Sequence, residues 1–313
     1  MSVVAEAARA IIANVEQVIL GKRSQIELLV VAALCQGHVL IDDVPGTGKT
    51  MLARSFAASL GVPFRRLQCT PDLLPNDVTG VRMFDPRNAE FRFEPGPVFT
   101  SVLLADEINR ATPRTQAALL EAMGERQVTV DGHTHRLPEV FLVLATQNPV
   151  EFEGTFPLPE AQLDRFLLCL AMGYPGPEEE RALVARIGLD HPIEHLGAVN
   201  KVSDWPGLAR AASQTHLDPE LSRYVVALVS ATREHEAVDL GASPRASLAL
   251  AATSRAMAAA RGRDYVLPDD IKELALPVLG HRLVLSARSR LRGMETADVV
   301  SDILSRVAVG ADL

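Results

Sequence analysis

Residues 41–50 read IDDVPGTGKT, a glycine-rich segment set between two regular patterns. The apolar run that leads into it, HVLID (38–42), predicts a short buried strand. The run that follows, KTMLARSFAASLG (49–61), predicts a helix, because its large apolar residues recur on one helical face. A strand, a glycine-rich turn and a helix in this order predict an α/β protein with a parallel sheet.

The segment between strand and helix has the composition of a phosphate-binding loop. Its glycines let backbone amides turn towards an anion, a lysine can reach the β and γ phosphates, and a hydroxyl can reach Mg²⁺. Asp43 stands where this motif usually has its first glycine, a position that eases a turn but makes no unique contact. The alternative is a plain turn before a capped helix. We expect a nucleotide to be held by Pro45, Gly46, Thr47, Gly48, Lys49, Thr50 and Met51.

Apolar runs alternate with helical stretches as far as residue 173, which predicts a five-stranded parallel sheet with flanking helices. The other four predicted strands are FRRLQC (64–69), SVLLAD (101–106), VFLVLAT (140–146) and FLLCLAM (166–172). Two stretches that interrupt the alternation, 82–97 and 126–138, are typical of β-hairpins.

After GYPGPEEE (173–180) the pattern changes to helices only. This change divides the chain into an α/β domain, residues 1–173, and a small all-α domain, residues 174–313. The predicted helices of the second domain are 218–235, 243–261, 268–279 and 294–307.

Charge and composition argue against several classes of protein, although a local basic loop stays possible. A net charge of −8 argues against broad contact with nucleic acid or an anionic membrane, since both need clustered Lys and Arg. The densest apolar run, LLVVAALC (28–35), is far shorter than the ~20 residues of a membrane span. The dispersed Cys35, Cys69 and Cys169 suggest neither a zinc site nor disulfides, so a reducing cytoplasm is expected.

An acidic pair follows the third predicted strand, in VLLADEINRA. Asp106 is placed to hold Mg²⁺, together with the Thr50 hydroxyl, and Glu107 to act as the base that polarises the attacking water. The alternative is a strand that ends in two solvated acids. After the next strand, in LATQNP (144–149), the amide of Asn148 could orient the water, although Asn before Pro is also a common turn residue.

The order of four blocks resembles the MoxR family of AAA+ ATPases over nearly the whole chain. They are VPGTGKT, LLADEINRATPRTQAALLEAMGERQVTVDG, LATQNPVEFEGTFPLPEAQLDRF and GASPRASLALA. The resemblance implies a P-loop NTPase core and a helical lid, with the hairpins as the helix-2 and pre-sensor-1 inserts. It also implies an ATPase that works as a homo-hexameric ring with ATP and Mg²⁺.

The resemblance also assigns roles to matching positions. Asn148 matches sensor 1, and Arg245, in the first turn of a helix capped by Ser243, matches sensor 2, which could point at the phosphates. Val18 and Ile19 match the strip that packs the adenine base, though both are equally compatible with the core. Arg165 matches the arginine finger, which reaches the γ-phosphate of a neighbouring subunit; the alternative for this residue is a surface ion pair with Asp164. Arg110 and Arg114 are treated as possible subunit-interface residues.

The sequence is compatible with three functions. The first is a ring-forming motor that remodels or activates a protein substrate, often through an adaptor with a von Willebrand factor A domain. The second is a nucleic-acid remodeller, which the net negative charge disfavours. A magnesium-chelatase-like motor subunit is a close relative of the first function and is kept as an alternative to it. The third is a binding switch or small-molecule kinase. His133 and His135 alternate in the second hairpin and are too few for a metal site, so a solvated face is expected.

Overall fold

The polar segments at the strand ends are brought together by a parallel sheet. The computed structural model describes residues 2–148, 154–186 and 192–310. The strands are, in chain order, β1 (Val39–Asp42), β2 (Phe64–Gln68), β3 (Gly80–Asp85), β4 (Glu90–Pro95), β5 (Val102–Asp106), β6 (Gln127–Val130), β7 (His133–Arg136), β8 (Leu142–Gln147), β9 (Leu168–Leu170), β10 (Val238–Leu240) and β11 (Val284–Leu285). Five of them form one parallel sheet in the order β2-β5-β8-β1-β9, which confirms the predicted fold class.

Helices cover the sheet and form most of the C-terminal part. They are α1 (Val3–Glu16), α2 (Arg23–Leu34), α3 (Lys49–Leu60), α4 (Pro75–Thr79), α5 (Pro113–Glu125), α6 (Glu160–Leu163), α7 (Pro177–Ala185), α8 (Trp205–Ser213), α9 (Pro219–Glu234), α10 (Pro244–Ala260), α11 (Pro268–Leu279), α12 (Ala287–Leu291) and α13 (Thr296–Arg306). Short 3-10 turns occur at Ile108–Arg110, Pro192–His195, Val202–Asp204 and Gly280–Arg282.

The parallel register gives the sheet two chemically different edges. At the carboxyl edge, Asp42 of β1 is level with Gln147 of β8, and Gln68 of β2 is level with Asp106 of β5. Ligands of open α/β sheets bind outside this edge, because the loops that follow the strands meet there. The amino edge, where the strands begin, lies at the other end of the sheet.

Two antiparallel hairpins, β3–β4 and β6–β7, lie outside the sheet and pack against each other. The His135 ring stacks on the Phe93 ring, with centroids 3.9 Å apart and planes 14° apart. His135 is therefore part of a hairpin contact rather than of a solvated face, the place expected for it from its alternation with His133. Within the described ranges, no group of three or more His, Cys, Asp or Glu side chains is arranged to hold a metal ion.

The expectation that only helices follow residue 173 is wrong in one respect. Strands β10 and β11 pair antiparallel, and at three and two residues they are too short to show the alternation that marks a strand in sequence. The N-terminal helices α1 and α2 pack against α8 and α10, and one hydrophobic cluster runs from one face of the sheet into the C-terminal helices. In the part of the chain that the structure describes, no helix has the length and apolar character needed to cross a membrane.

Candidate functional site

The loop between β1 and α3 has a backbone that only glycine adopts freely. Gly46 and Gly48 have φ angles of 84° and 88°, in the left-handed region. A Cβ at either position would meet no atom within 4 Å, so the glycines are needed for the backbone conformation and not to avoid a clash. The loop leads directly into α3 at Lys49, so the amides of its first turn face the same space as the loop.

This loop borders a cavity of about 410 Å³ at the carboxyl edge of the sheet. The Lys49 ammonium donates to the carbonyl oxygens of Asp43 and Val44, at 3.0 and 2.6 Å, which fixes it along the loop. The Thr47 hydroxyl turns away to the Val44 carbonyl. The cavity is lined by Asp43, Pro45, Gly46, Gly48, Lys49, Thr50, Met51, Arg66, Asp106, Glu107, Thr146, Gln147 and Asn148.

Asp43, the departure from the usual motif, has a structural task. One carboxylate oxygen accepts from the Val44 amide at 2.7 Å, and the other accepts from the amides of Met172 and Gly173, both at 2.8 Å. Asp43 is buried, at 7% exposure. Its side chain therefore ties the start of the phosphate loop to the segment that leaves the last strand of the sheet.

We expect Asp43→Ala to lower the free energy of unfolding by about 2–4 kcal/mol, because it leaves backbone amides without an acceptor. Asp42→Ala is the matched control. Burial raises the pKa of the Asp42 carboxyl, so its charge is held less favourably and the loss of stability in Asp42→Ala should be smaller. Urea unfolding at neutral pH measures both. An Asp43→Ala variant that is no less stable than Asp42→Ala would contradict the role of Asp43 in holding the phosphate loop to the segment after the last strand.

The acidic pair at the end of β5 is held in place from the neighbouring strand β8. Glu107 has a φ of 57°, a left-handed conformation that costs a non-glycine residue of order 1–3 kcal/mol. The Thr146 hydroxyl accepts from the Glu107 amide at 2.8 Å and donates to the Asp106 carboxylate at 2.7 Å. Thr146 is fully buried and thus couples the two acids.

Strand β2 supplies contacts to the same pair that sequence analysis missed. Arg66 donates to one Asp106 oxygen through Nε and Nη2, at 3.0 and 2.6 Å, and Gln68 donates to the Glu107 carboxylate at 2.8 Å. Arg110, expected at a subunit interface, has its Nε 3.4 Å from the same Glu107 oxygen. The polar residues at the end of β2 would have indicated these contacts if β2 had been known to lie beside β5. A single sequence does not reveal the order of strands in a sheet.

The donor set of the cavity fits Mg²⁺ and a nucleotide. Thr50 and Asp106 present hard oxygen atoms to the same space, and Lys49 and the amides at the start of α3 present positive charge. Mg²⁺ keeps several waters and is commonly held by one or two carboxylates together with substrate phosphates. A small donor set of this kind therefore suits a metal that arrives with ATP.

The remaining predicted residues at or near this edge divide into two groups. Asn148 follows β8, is 7% exposed and lines the cavity. This position is compatible with the expected role of orienting the attacking water. Val18 and Ile19 lie outside the described lining of this cavity and are buried in the larger hydrophobic cluster, in keeping with the core alternative. Residues 149–153, part of the block LATQNPVEFEGTFPLPEAQLDRF, lie outside the described residues.

Arg165 and Arg245 lie together, but not with the phosphate loop. Both are exposed, and both line a second cleft of about 340 Å³ whose other walls include Gly37 and His38, the residues that precede β1. The phosphate loop follows the other end of β1, roughly 16 Å away along the strand. Arg245 is in the first turn of α10, capped by Ser243 as expected, yet it lines this second cleft and not the cavity beside the phosphate loop of its own chain.

Arg165 does not form the alternative ion pair with Asp164. Its guanidinium donates to the carbonyl oxygen of Leu120, at 2.8 Å, while the Asp164 carboxylate binds Arg282 and Ser243. Arg165 thus lies against the C-terminal part of α5 with its neighbouring acid engaged elsewhere. The two arginines to which the family resemblance assigns catalytic roles therefore line one cleft at the amino edge of the sheet.

Comparisons with known proteins agree with this geometry. A family model described as "ATPase family associated with various cellular activities (AAA)" matches residues 38–168, and a model of an AAA lid domain matches residues 230–303. The chain is 49% identical to protein YeaC of Bacillus subtilis, covering 95% of this chain and 92% of that protein. It is 43% identical to chaperone MoxR1 of Mycobacterium tuberculosis, over 95% of this chain and 80% of that protein.

Two further comparisons extend the likeness. The protein MoxR of Paracoccus denitrificans is 37% identical, with 86% of each chain covered. A crystal structure of a candidate ATPase from Cytophaga hutchinsonii superimposes with a TM-score of 0.92 at 36% identity, covering 98% of this chain and 96% of that one. The likeness therefore spans the sheet, the hairpins and the C-terminal helices together.

Proposed function

The chain belongs to the MoxR family of AAA+ ATPases, and from this premise we propose that neighbouring copies complete each other's active sites and spend ATP on remodelling a partner protein. The proposal concerns the reaction, the assembly and the partner. One observation carries it: the phosphate loop and the pair Arg165 and Arg245 occupy opposite edges of the sheet.

Within one chain, the cavity at the carboxyl edge binds and orients the nucleotide. Lys49 and the amides of the loop hold the β and γ phosphates, while Thr50 and Asp106 would hold Mg²⁺, which would neutralise charge on the phosphate oxygens. Glu107 takes a proton from the attacking water, and Asn148 fixes the position of that water. The water oxygen bonds to the γ-phosphorus as the bond from that phosphorus to the bridging oxygen breaks, which gives ADP and phosphate.

The two arginines act on the nucleotide of the neighbouring copy. Charge builds up on the γ-phosphoryl oxygens as the bond breaks, and an arginine supplied from outside the phosphate loop stabilises it. Arg165 supplies this charge directly, and Arg245, on the same surface, contributes a second donor. A homo-hexameric ring, the assembly that the family resemblance implies, presents one such pair to every nucleotide.

The partner is a protein, as the family resemblance and the name of the mycobacterial chaperone suggest. We divide the chain into a nucleotide-binding core, residues 1–173, and a helical lid, residues 174–313. An adaptor with a von Willebrand factor A domain is the expected link between this motor and its substrate. Movement of the lid on the core is then the step that transmits work.

If the site is shared, ATP hydrolysis per subunit rises with protein concentration, because isolated copies lack an arginine pair. Steady-state phosphate release, measured over a dilution series with Mg²⁺ in excess, tests this, and size-exclusion chromatography with light scattering follows assembly over the same range. Omission of Mg²⁺ serves as the control for background hydrolysis. A turnover number that is independent of concentration, in a protein that stays monomeric, would refute the shared site.

The partner is tested by trapping the ATP-bound form. The Glu107→Gln variant, which is expected to bind ATP and turn it over slowly, is used as bait, and the Glu107→Gln, Lys49→Ala double variant is the matched control that cannot hold ATP. Proteins retained by the first and lost by the second are candidates for partner or adaptor. Tight, salt-sensitive binding to DNA by the same bait would favour a nucleic-acid remodeller instead.

A further inference from the structure

A buried ion pair joins the segment that carries Arg165 to the C-terminal helices. The Arg282 Nε donates to one oxygen of Asp164 at 2.9 Å. The Arg282 side chain is 3% exposed and the Asp164 side chain is 18% exposed. The two residues are 118 positions apart in sequence, so the pair ties together distant parts of the chain.

Arg282 also binds the backbone on the other side of Arg165. Its two terminal nitrogens donate to the carbonyl oxygens of Phe166 and Leu167, at 2.5 and 3.1 Å, and one of them also contacts the carbonyl oxygen of Val278. A planar guanidinium with five donors in a fixed arrangement suits this task. One side chain therefore holds the residue before Arg165 and the two residues after it.

The same carboxylate reaches the helix that carries Arg245. The second oxygen of Asp164 accepts from the Ser243 hydroxyl at 2.9 Å, and that hydroxyl in turn accepts from the Arg245 amide at 3.1 Å. Ser243 is the residue that caps α10. Asp164 thus lies between Arg165, its neighbour in sequence, and the first turn of α10.

The electrostatics of this cluster do not indicate that its role is to stabilise the fold. Burial lowers the pKa of the Arg282 guanidinium, and the Asp164 carboxylate acts in the opposite direction. Buried ion pairs of this kind are often no more stable than a well-packed apolar replacement, because desolvation offsets the attraction. A better attested role of buried ion pairs is to select one conformation. Here that conformation fixes the relative position of Arg165 and Arg245.

We propose that Asp164 and Arg282 are positioning residues that hold Arg165 and Arg245 at a fixed separation, so that the two act on the neighbouring nucleotide as one unit. This inference rests on the proposed shared active site. Ser243 connects the unit to α10. None of the three side chains lines the cavity proposed to bind ATP in the same chain, which lies at the opposite edge of the sheet.

The first test separates catalysis from ATP binding. Asp164→Ala should lower kcat about 10- to 100-fold, as expected for misplacement of catalytic groups, with KM for ATP within about twofold. Ser243→Ala should lower kcat less, and Ser243→Thr, which keeps the hydroxyl, should restore it. Asp270→Ala is the matched control: it breaks another buried ion pair, with Arg263 at 2.6 Å, that is not in contact with Arg165.

Unfolding curves of all four variants set the assay temperature to one at which each is folded. If Asp270→Ala lowers kcat as much as Asp164→Ala does, or if Asp164→Ala raises KM instead of lowering kcat, the positioning role is overturned. If Asp164→Ala does not fold, the comparison of Ser243→Ala with Ser243→Thr still tests the proposal. In that case equal kcat values for Ser243→Ala and Ser243→Thr would count against the proposal.

Mixed assemblies separate a positioning role from a general structural defect, because a generally misfolded subunit would not regain ATPase activity on mixing. Asp164→Ala subunits keep an intact ATP cavity, and Glu107→Gln subunits keep intact arginines. Mixing the two should give more activity than the sum of the separate variants, because some interfaces combine the two intact halves. The reference mixture is Arg165→Ala with Glu107→Gln. Recovery in the reference alone would overturn the role of Asp164, whereas failure of both mixtures would refute the shared site itself.

Discussion

Replacing Glu107 with glutamine should lower kcat for ATP hydrolysis by about 10²- to 10⁴-fold, the usual contribution of a general base, and leave the Kd for ATP nearly unchanged. The expected loss is confined to catalysis because the groups that hold the phosphates lie in the loop and in α3. Glutamine has the shape of glutamate and can still accept the hydrogen bond from Gln68. It cannot take a proton from water.

The strained backbone of Glu107 sharpens this prediction. A residue with a φ of 57° is held there by its surroundings, here by the hydroxyl of Thr146, and the substitution leaves this contact intact. The change is therefore chemical rather than conformational. Outcomes are measured by phosphate release at saturating ATP and by equilibrium binding of a fluorescent ATP analogue.

Glu220→Gln is the control for loss of a negative charge, since Glu220 lies on the exposed face of α9 with its side chain 63% exposed. It should retain wild-type turnover. A Glu107→Gln variant that hydrolyses ATP at the wild-type rate would remove Glu107 from the role of base. A variant that no longer binds ATP would assign it to binding instead.

Replacing Arg165 with alanine should reduce kcat by about 10³-fold or more, the range found for arginines that stabilise transferring phosphoryl groups from outside the phosphate loop. The Kd for ATP of the variant should stay close to that of the wild type. Arg165 lies at the amino edge of the sheet, on the cleft that it shares with Arg245. Its loss therefore leaves the cavity of its own chain intact.

Titration of wild-type protein with the Arg165→Ala variant gives the most direct readout. Each variant subunit that joins an assembly leaves the neighbouring wild-type nucleotide without its arginine, so activity should fall although wild-type protein is constant. Arg223→Ala is the control, because Arg223 is an exposed arginine of α9 in a surface ion pair with Glu220. Wild-type activity that is unaffected by added Arg165→Ala subunits would place the catalytic arginine elsewhere.

The parts of the site that are local in sequence were predictable from it. The phosphate loop and the acidic pair each lie within one short segment, and each comes at the end of a strand with a clear apolar run. The strand places the polar residues at the carboxyl edge, and the residue types indicate the chemistry. For Lys49, Thr50, Asp106 and Glu107, the pattern alone predicted residues that the structure brings into one cavity.

The parts that depend on strand order or on lid placement were not predictable. Arg66 reaches Asp106 only because β2 lies beside β5, and nothing in FRRLQC marks which strand will be its neighbour. Arg282 reaches Asp164 only because the end of α11 packs beside β9, and no local pattern in GHRLVL indicates this. The edge of the sheet on which Arg245 lies could not be predicted for the same reason, since a helix cap fixes the first turn of a helix and not the part of the sheet that the turn faces.

The placement of the phosphate loop and the arginine pair at the two ends of β1 also restricts how copies can associate. A two-fold dimer uses the same surface patch on both copies, so it could complete sites only if that one patch contained both the loop and the arginines, which lie at opposite edges of the sheet. A head-to-tail contact joins the two unlike edges directly, and an open row of such copies always ends in one subunit whose ATP has no donor. Closing the row into a circle removes that idle end, so closure itself adds an active site.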